Sequence, residues 1–125
     1  MRLELPWPPR ALTPNARVHH MALHRAKKAY ASLCHGLALE AGLHLHEWPE
    51  AIPLRITLCD PTGRGARDDD NAIAAFKAGR DAVAKAMRVD DGRWKPEYVE
   101  GEPVKGGKIV IEFLSVLVPV TGVVS

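Results

Sequence analysis

The chain has 125 residues, with 17 Lys+Arg against 15 Asp+Glu, 46% hydrophobic and 26% charged residues, a profile that excludes a disordered or fibrous chain. One domain spanning 1–125 accounts for this length and buries roughly two thirds of the surface its unfolded chain exposes, so stability requires neither a disulfide nor a structural metal. The longest apolar run is well short of the roughly 20 residues of a membrane span, and Met1-Arg2-Leu3-Glu4 before Pro6-Trp7-Pro8-Pro9 makes no secretory h-region, so a cytoplasmic protein with no membrane partner is expected.

Arg2 to Leu5 alternates polar and apolar residues and then meets the prolines, which predicts a short strand running into a loop that extends to about Asn15. From about His20 to Ala41 the residues Ala26, Tyr30, Leu33, Leu37 and Ala41 recur at three and four, with Gly42 as a stop, which predicts an amphipathic helix. Leu43 to Ala51 reads as a connector, and Pro53 to Asp60 alternates as a half-buried strand. Pro61 to Ala66 is a loop leading into Arg67-Asp68-Asp69-Asp70-Asn71. From Ala72 to Met87 one apolar stripe of Ala72/Ile73, Ala75/Phe76, Ala82/Val83 and Ala86/Met87 predicts a second helix, in which Gly79 allows close approach. Val89 to Lys95 reads as a turn around Asp91-Gly92, after which Glu97 to Glu102 and Lys108 to Val116 read as two strands joined near Lys105-Gly106-Gly107. The expected fold is therefore α/β (α+β): a compact β-α-β-α-β-β domain with a mixed sheet and two main helices. The apolar tail from Phe113 to Val124 either covers a homodimer interface or completes the core. Cys34 and Cys59 have no metal spacing and read as free buried thiols, and the histidines lack the spacing of a zinc set.

The net charge of +2 conceals a sorting of charge along the chain. No acid lies between Glu4 and Glu40, where Arg10, Arg17, Arg25, Lys27 and Lys28 fall, whereas acids concentrate at Asp68-Asp69-Asp70 and Asp90-Asp91. Cations beside a carboxylate cluster suit a polyanion held near a carboxylate-bound metal, and the plain alternative is a solvated helix face with two acidic turns. In an extended stretch Asp68 and Asp70 point to the same side and Asp69 away, so the outer two reach one cation. Three adjacent carboxylates repel one another unless a cation compensates them. Asp70 and Lys77 are two helical turns apart, leaving space for a phosphate between them, while Lys77 is also placed for an i,i+4 pair with Asp81.

Leu5-Pro6-Trp7-Pro8-Pro9 with Asn15, then Arg67-Asp68-Asp69-Asp70-Asn71, Lys77, Asp81 and Val89-Asp90-Asp91, resemble in type and order the RusA family of Holliday junction resolvases, over about residues 3 to 113. The resemblance implies a homodimeric, Mg²⁺-dependent endodeoxyribonuclease that resolves four-way DNA junctions in recombination and repair, a type often encoded by prophages, with Mn²⁺ as a substitute cation. Carried over by residue, it implies Asp68, Asp70 and Asp91 as catalytic metal ligands, Asp90 as a supporting acid and Lys77 as the catalytic lysine, with Lys85 the other candidate. Phosphate contacts are expected from Arg10, Arg17, Arg25, Lys27, Lys28, Arg64 and Arg67. The alternatives are a protein that binds branched DNA without cutting it, a nuclease for flaps or forks, and a dimeric interaction protein whose acids only cap and turn.

Overall fold

The computed structural model describes residues 1–14, 16–62, 69–114 and 118–119. In chain order these form β1 (Arg2–Pro6), α1 (His20–Glu40), β2 (His46–Glu47), β3 (Ile52–Cys59), α2 (Asp69–Met87), β4 (Trp94–Glu100), β5 (Lys108–Phe113) and β6 (Val118–Pro119), with single 3₁₀ turns at Arg10–Leu12, Leu43–Leu45 and Asp91–Arg93. The result is a small α+β domain in which two helices cover one face of a mixed four-stranded sheet of order β1-β5-β3-β4. β3 and β4 run parallel, joined through α2 as a crossover, whereas β5 pairs antiparallel with both β1 and β3.

The alternation of each strand decides which face is buried. Leu3 and Leu5 of β1, Ile52, Leu54, Ile56 and Leu58 of β3, Trp94 of β4, and Ile109, Ile111 and Phe113 of β5 all lie in the core. The intervening charges Arg2, Glu4, Lys108 and Glu112 stay on the other face, where Lys108 Nζ lies 3.0 Å from Glu4 Oε1 across the β1–β5 pair. Tyr30 Oη donates to the Pro6 carbonyl at 2.7 Å and fixes the end of β1 to α1.

Five expectations need correction. β4 begins at Trp94, within the stretch from Val89 to Lys95 expected as a turn, because the Trp94 ring is the part of this strand that fills the core. Of the expected α1 line, Tyr30 is buried and Ala26, Leu37 and Ala41 pack against the core, but Leu33 is 49% exposed and the fully buried i,i+4 ridge runs through Tyr30, Cys34 and Ala38. Small Ala and Cys side chains let α1 lie close against α2, so the ridge centres on them and not on the larger leucine. β4 and β5 are consecutive but not neighbours, because β5 fills the space between β1 and β3. His46–Glu47, expected as part of a connector, pairs antiparallel with Val118–Pro119. Finally, α2 begins at Asp69, three residues before the expected start, so Asp69 and Asp70 occupy a helical first turn, where the period-two argument for an extended strand does not apply. Acids are favoured there by the helix dipole. Of the tail, Phe113 ends β5 in the core, Leu114 is half exposed with its N–H donating to the Pro53 carbonyl, and Val118–Pro119 forms one strand of a two-stranded pair; residues 115–117 and 120–125 lie outside the described ones.

Candidate active site

α2 organises the site because it carries acids at its start, cations along its exposed side and a sharp stop at its end. The stop is a Schellman motif: Arg88 N–H donates to the Lys85 carbonyl at 3.0 Å and Val89 N–H to the Ala84 carbonyl at 3.1 Å, with Arg88 in the left-handed region at φ 63°. The chain therefore turns at once into Asp90-Asp91. Asp90 caps the next 3₁₀ turn, its Oδ1 accepting from Gly92 N–H at 2.9 Å. That backbone hydrogen bond, followed by one with Asp91, holds the Asp90 carboxyl below its ordinary value. Arg93 anchors the turn from the other side, its Nη2 donating to the carbonyls of Trp48 and Pro49, both at 2.7 Å.

Asp91 meets Asp81, which projects from the middle of α2. Desolvation, then hydrogen bonds with Asp81 and with Asp90, push the Asp91 carboxyl above its ordinary value, while the charge of Arg80 works in the opposite direction. Arg80 lies over the Trp94 ring, 5.7 Å from its centroid. Lys77 Nζ is 3.3 Å from Asp81 Oδ2, so the i,i+4 pair anticipated from spacing forms. Lys77, Asp81, Lys85, Asp90 and Asp91 border one open hollow of about 350 Å³.

The structure thus brings Lys77, Lys85, Asp90 and Asp91 together and adds Asp81, whose part in the acidic centre the sequence reading did not assign. Its signal was present in the sequence, since Asp81 faces the side of α2 on which the chain turns back, but only the turn at Arg88 shows that Asp91 arrives there. Asp70 does not join this group. It is exposed in the first turn of α2, eleven residues before Asp81, or about 16 Å along the axis at 1.5 Å per residue. Ligand oxygens on one Mg²⁺ lie roughly 2 Å from the ion, so Asp70 and Asp91 of one protomer do not share a cation. Among the described residues no group of three His, Cys, Asp or Glu side chains is close enough to hold a metal. Asp68, Arg64, Arg67 and Asn15 lie outside the described residues.

The remaining expected cations divide by position. Arg10 in its 3₁₀ turn, Arg17 before α1 and Arg25, Lys27 and Lys28 on α1 are all exposed. Lys27 and Lys28 line an open groove of about 700 Å³ between α1 and α2, which Asp81 and Lys85 also border. No described helix is long and apolar enough to cross a membrane.

No protein-family model matches the chain. It is 38% identical over 112 residues to an uncharacterized protein of Xylella fastidiosa (strain Temecula1 / ATCC 700964), a match covering 87% of this chain and 72% of that protein. Identity of this extent over most of both sequences shows common descent, and the chain belongs to the same family as the Xylella protein.

Proposed function

We propose that the protein is a Mg²⁺-dependent, structure-selective endodeoxyribonuclease that resolves four-way DNA junctions, acting as a homodimer in the cytoplasm. The observation that carries this reading is the Asp81–Asp91 carboxyl pair, set in an open hollow with Lys77 and Lys85 on its rim. Two carboxyls held together, with the Asp91 carboxyl raised, are relieved by a divalent cation, and Mg²⁺ suits one or two carboxylates completed by water and phosphate oxygens. The donor set therefore fits the ion. When bound, it supplies Lewis-acid stabilisation of the phosphodiester and a more acidic water. The chain's own groups hold and orient: Asp81 and Asp91 are the ligands, Asp90 keeps the turn in shape, and Lys77 and Lys85 offset charge developing on the phosphate.

Asp70, expected as a ligand from the family resemblance, is too far along α2 to serve the same centre in one protomer. The dimer reconciles the two placements: the far end of α2 in a second copy supplies Asp70, so each centre draws on both chains. Asp70→Asn and Asp91→Asn are each expected to abolish Mg²⁺-dependent nicking of a labelled four-way junction, with a linear duplex of the same sequence left intact throughout. Mixing the two inactive variants after subunit exchange should restore about a quarter of wild-type sites, because half of randomly paired dimers carry one intact centre. Cleavage by wild type with no recovery in the mixture would show that Asp70 and Asp91 serve one protomer separately.

A second reading has one observation in its favour: the described residues of a single protomer offer no three-acid group. On that reading the protein retards branched DNA on a gel without cutting it, and Asp70→Asn leaves binding unchanged.

A further inference from the structure

The groove between α1 and α2 continues into the hollow that holds Asp91. Asp81 and Lys85 border both, and Lys27 borders the groove and a third hollow of about 270 Å³ beneath Lys77. Within the groove itself the exposed cations Lys27, Lys28 and Lys85 face a single acid, Asp81, already engaged by Lys77, and Asp90 and Asp91 enter only in the hollow beyond. None of the three lysines has an ion-pair partner among the described residues. A convergence of unpaired ammonium groups is costly in mutual repulsion and is relieved by a polyanion.

The shape narrows the choice of polyanion. α1 and α2 pack almost in contact, since a Cβ at Gly79 would come within 2.7 Å of the Tyr30 ring and 3.0 Å of Cys34 Sγ. Axes of helices packed this way are roughly 8 to 10 Å apart, so the valley between them admits one sugar-phosphate backbone and is too narrow to seat a duplex. Its floor is methyl groups, from Ala31, Ala78 and Ala82, which suits deoxyribose and base faces better than a second row of phosphates. No Phe, Tyr or Trp lines it, so recognition runs through the backbone and tolerates any sequence.

We infer that the α1–α2 groove binds a single, unpaired DNA strand, with Lys27, Lys28 and Lys85 on successive phosphates, and leads that strand to Asp81 and Asp91. The inference rests on the nuclease reading for its choice of DNA. It adds that the substrate presents an unpaired strand at its branch point, and that Lys85 belongs to the strand-binding track.

The test is fluorescence anisotropy of a short labelled oligothymidylate in EDTA, beside a hairpin duplex of equal charge and with polyglutamate as competitor. Wild type should bind the single strand more tightly than the duplex, with log K falling against log[salt] at a slope of about −2 for three phosphate contacts. Combining Lys27→Gln, Lys28→Gln and Lys85→Gln should weaken binding about hundredfold near 0.1 M salt and flatten that slope, whereas Lys105→Gln, on the β4–β5 turn, should change neither. Equal affinity for the duplex, displacement by polyglutamate at equal charge, or a triple variant indistinguishable from Lys105→Gln would each overturn the inference. Because no cation or turnover is needed, strand binding lost in the triple variant stands even if junctions are never cut. Conversely, junction cleavage by a wild type that ignores the oligothymidylate keeps the nuclease reading and removes this one.

Discussion

Arg88 is the only non-glycine residue with positive φ among the described residues, and it stands at the position where helices usually end in glycine. A left-handed conformation costs an L residue roughly 1 to 2 kcal/mol, a strain that the two Schellman hydrogen bonds offset. Arg88→Gly should therefore stabilise the fold by about 1 kcal/mol in urea unfolding, with the position of Asp91 unchanged. Cys34 offers a second residue-level expectation. It is fully buried, and burial pushes its thiol up to about 11, against a smaller lowering by its hydrogen bond with Tyr30. The unfolded chain releases this proton first, so the contribution is complete below about 9 and is lost as pH rises from about 9 to about 11. The unfolding free energy from urea titrations should fall over that window by an amount on the order of 2 kcal/mol, and fall less in Cys34→Ala. Tyr30, raised chiefly by burial as well, extends the same trend to higher pH. Which of the acids meet was only partly legible at this scale: the Lys77–Asp81 pair follows from spacing alone, whereas the Asp81–Asp91 contact depends on a reversal that begins at Arg88, ahead of the Asp91-Gly92 turn that the sequence marks.

At the scale of elements, the contact of α1 with α2 hangs on Gly79. Alanine in an open helix position would gain up to about 1 kcal/mol over glycine, but here its methyl would press on Tyr30 and Cys34. Gly79→Ala should therefore destabilise by about 1 to 3 kcal/mol in urea unfolding, and Ala or Ser at the open Gly36, where nothing lies within 4 Å, should not. Both helices and β1, β3 and β5 could be read from periodicity, because each presents an apolar face to the same core, whereas β4 has a single core residue, Trp94, at its very start. Their partners could not. Lys108 to Phe113 has the alternation of any half-buried strand, and nothing in it states that the neighbours are Leu3 and Ile56 and not the preceding strand. The three-and-four spacing finds the core side of α1 through Ala26, Tyr30, Leu37 and Ala41, but not its centre: Leu33 is exposed, and the small Cys34 and Ala38 take the close contact. His46–Glu47 was missed because two residues carry no measurable period.

For the whole molecule, the arrangement of charge sets the expected chemistry. The α1–α2 groove gathers Lys27, Lys28 and Lys85, whereas the sheet's other face pairs opposite signs, as in Lys108 with Glu4, so the groove is the better seat for a polyanion. If the active form is a homodimer, dilution should reduce junction cleavage faster than in proportion to protein, and gel filtration beside that assay would show whether the loss follows dissociation. A strict monomer that still made paired symmetric nicks would remove the composite centre.

The register of the main sheet also governs when the protein can exist as a fold at all. Among the described residues β1 finds its only sheet partner in β5, with Arg2 opposite Glu112, and Phe113 N–H reaching the Met1 carbonyl at 2.9 Å. Contacts spanning almost the entire sequence make loop closure slow, and β3 keeps an open edge until β5 arrives. On the ribosome, chains stalled before Lys108 should remain open to protease, and those extended far enough to release Phe113 from the exit tunnel should become resistant in one step. Folding of this domain thus waits on β5, the one strand that closes on both β1 and β3.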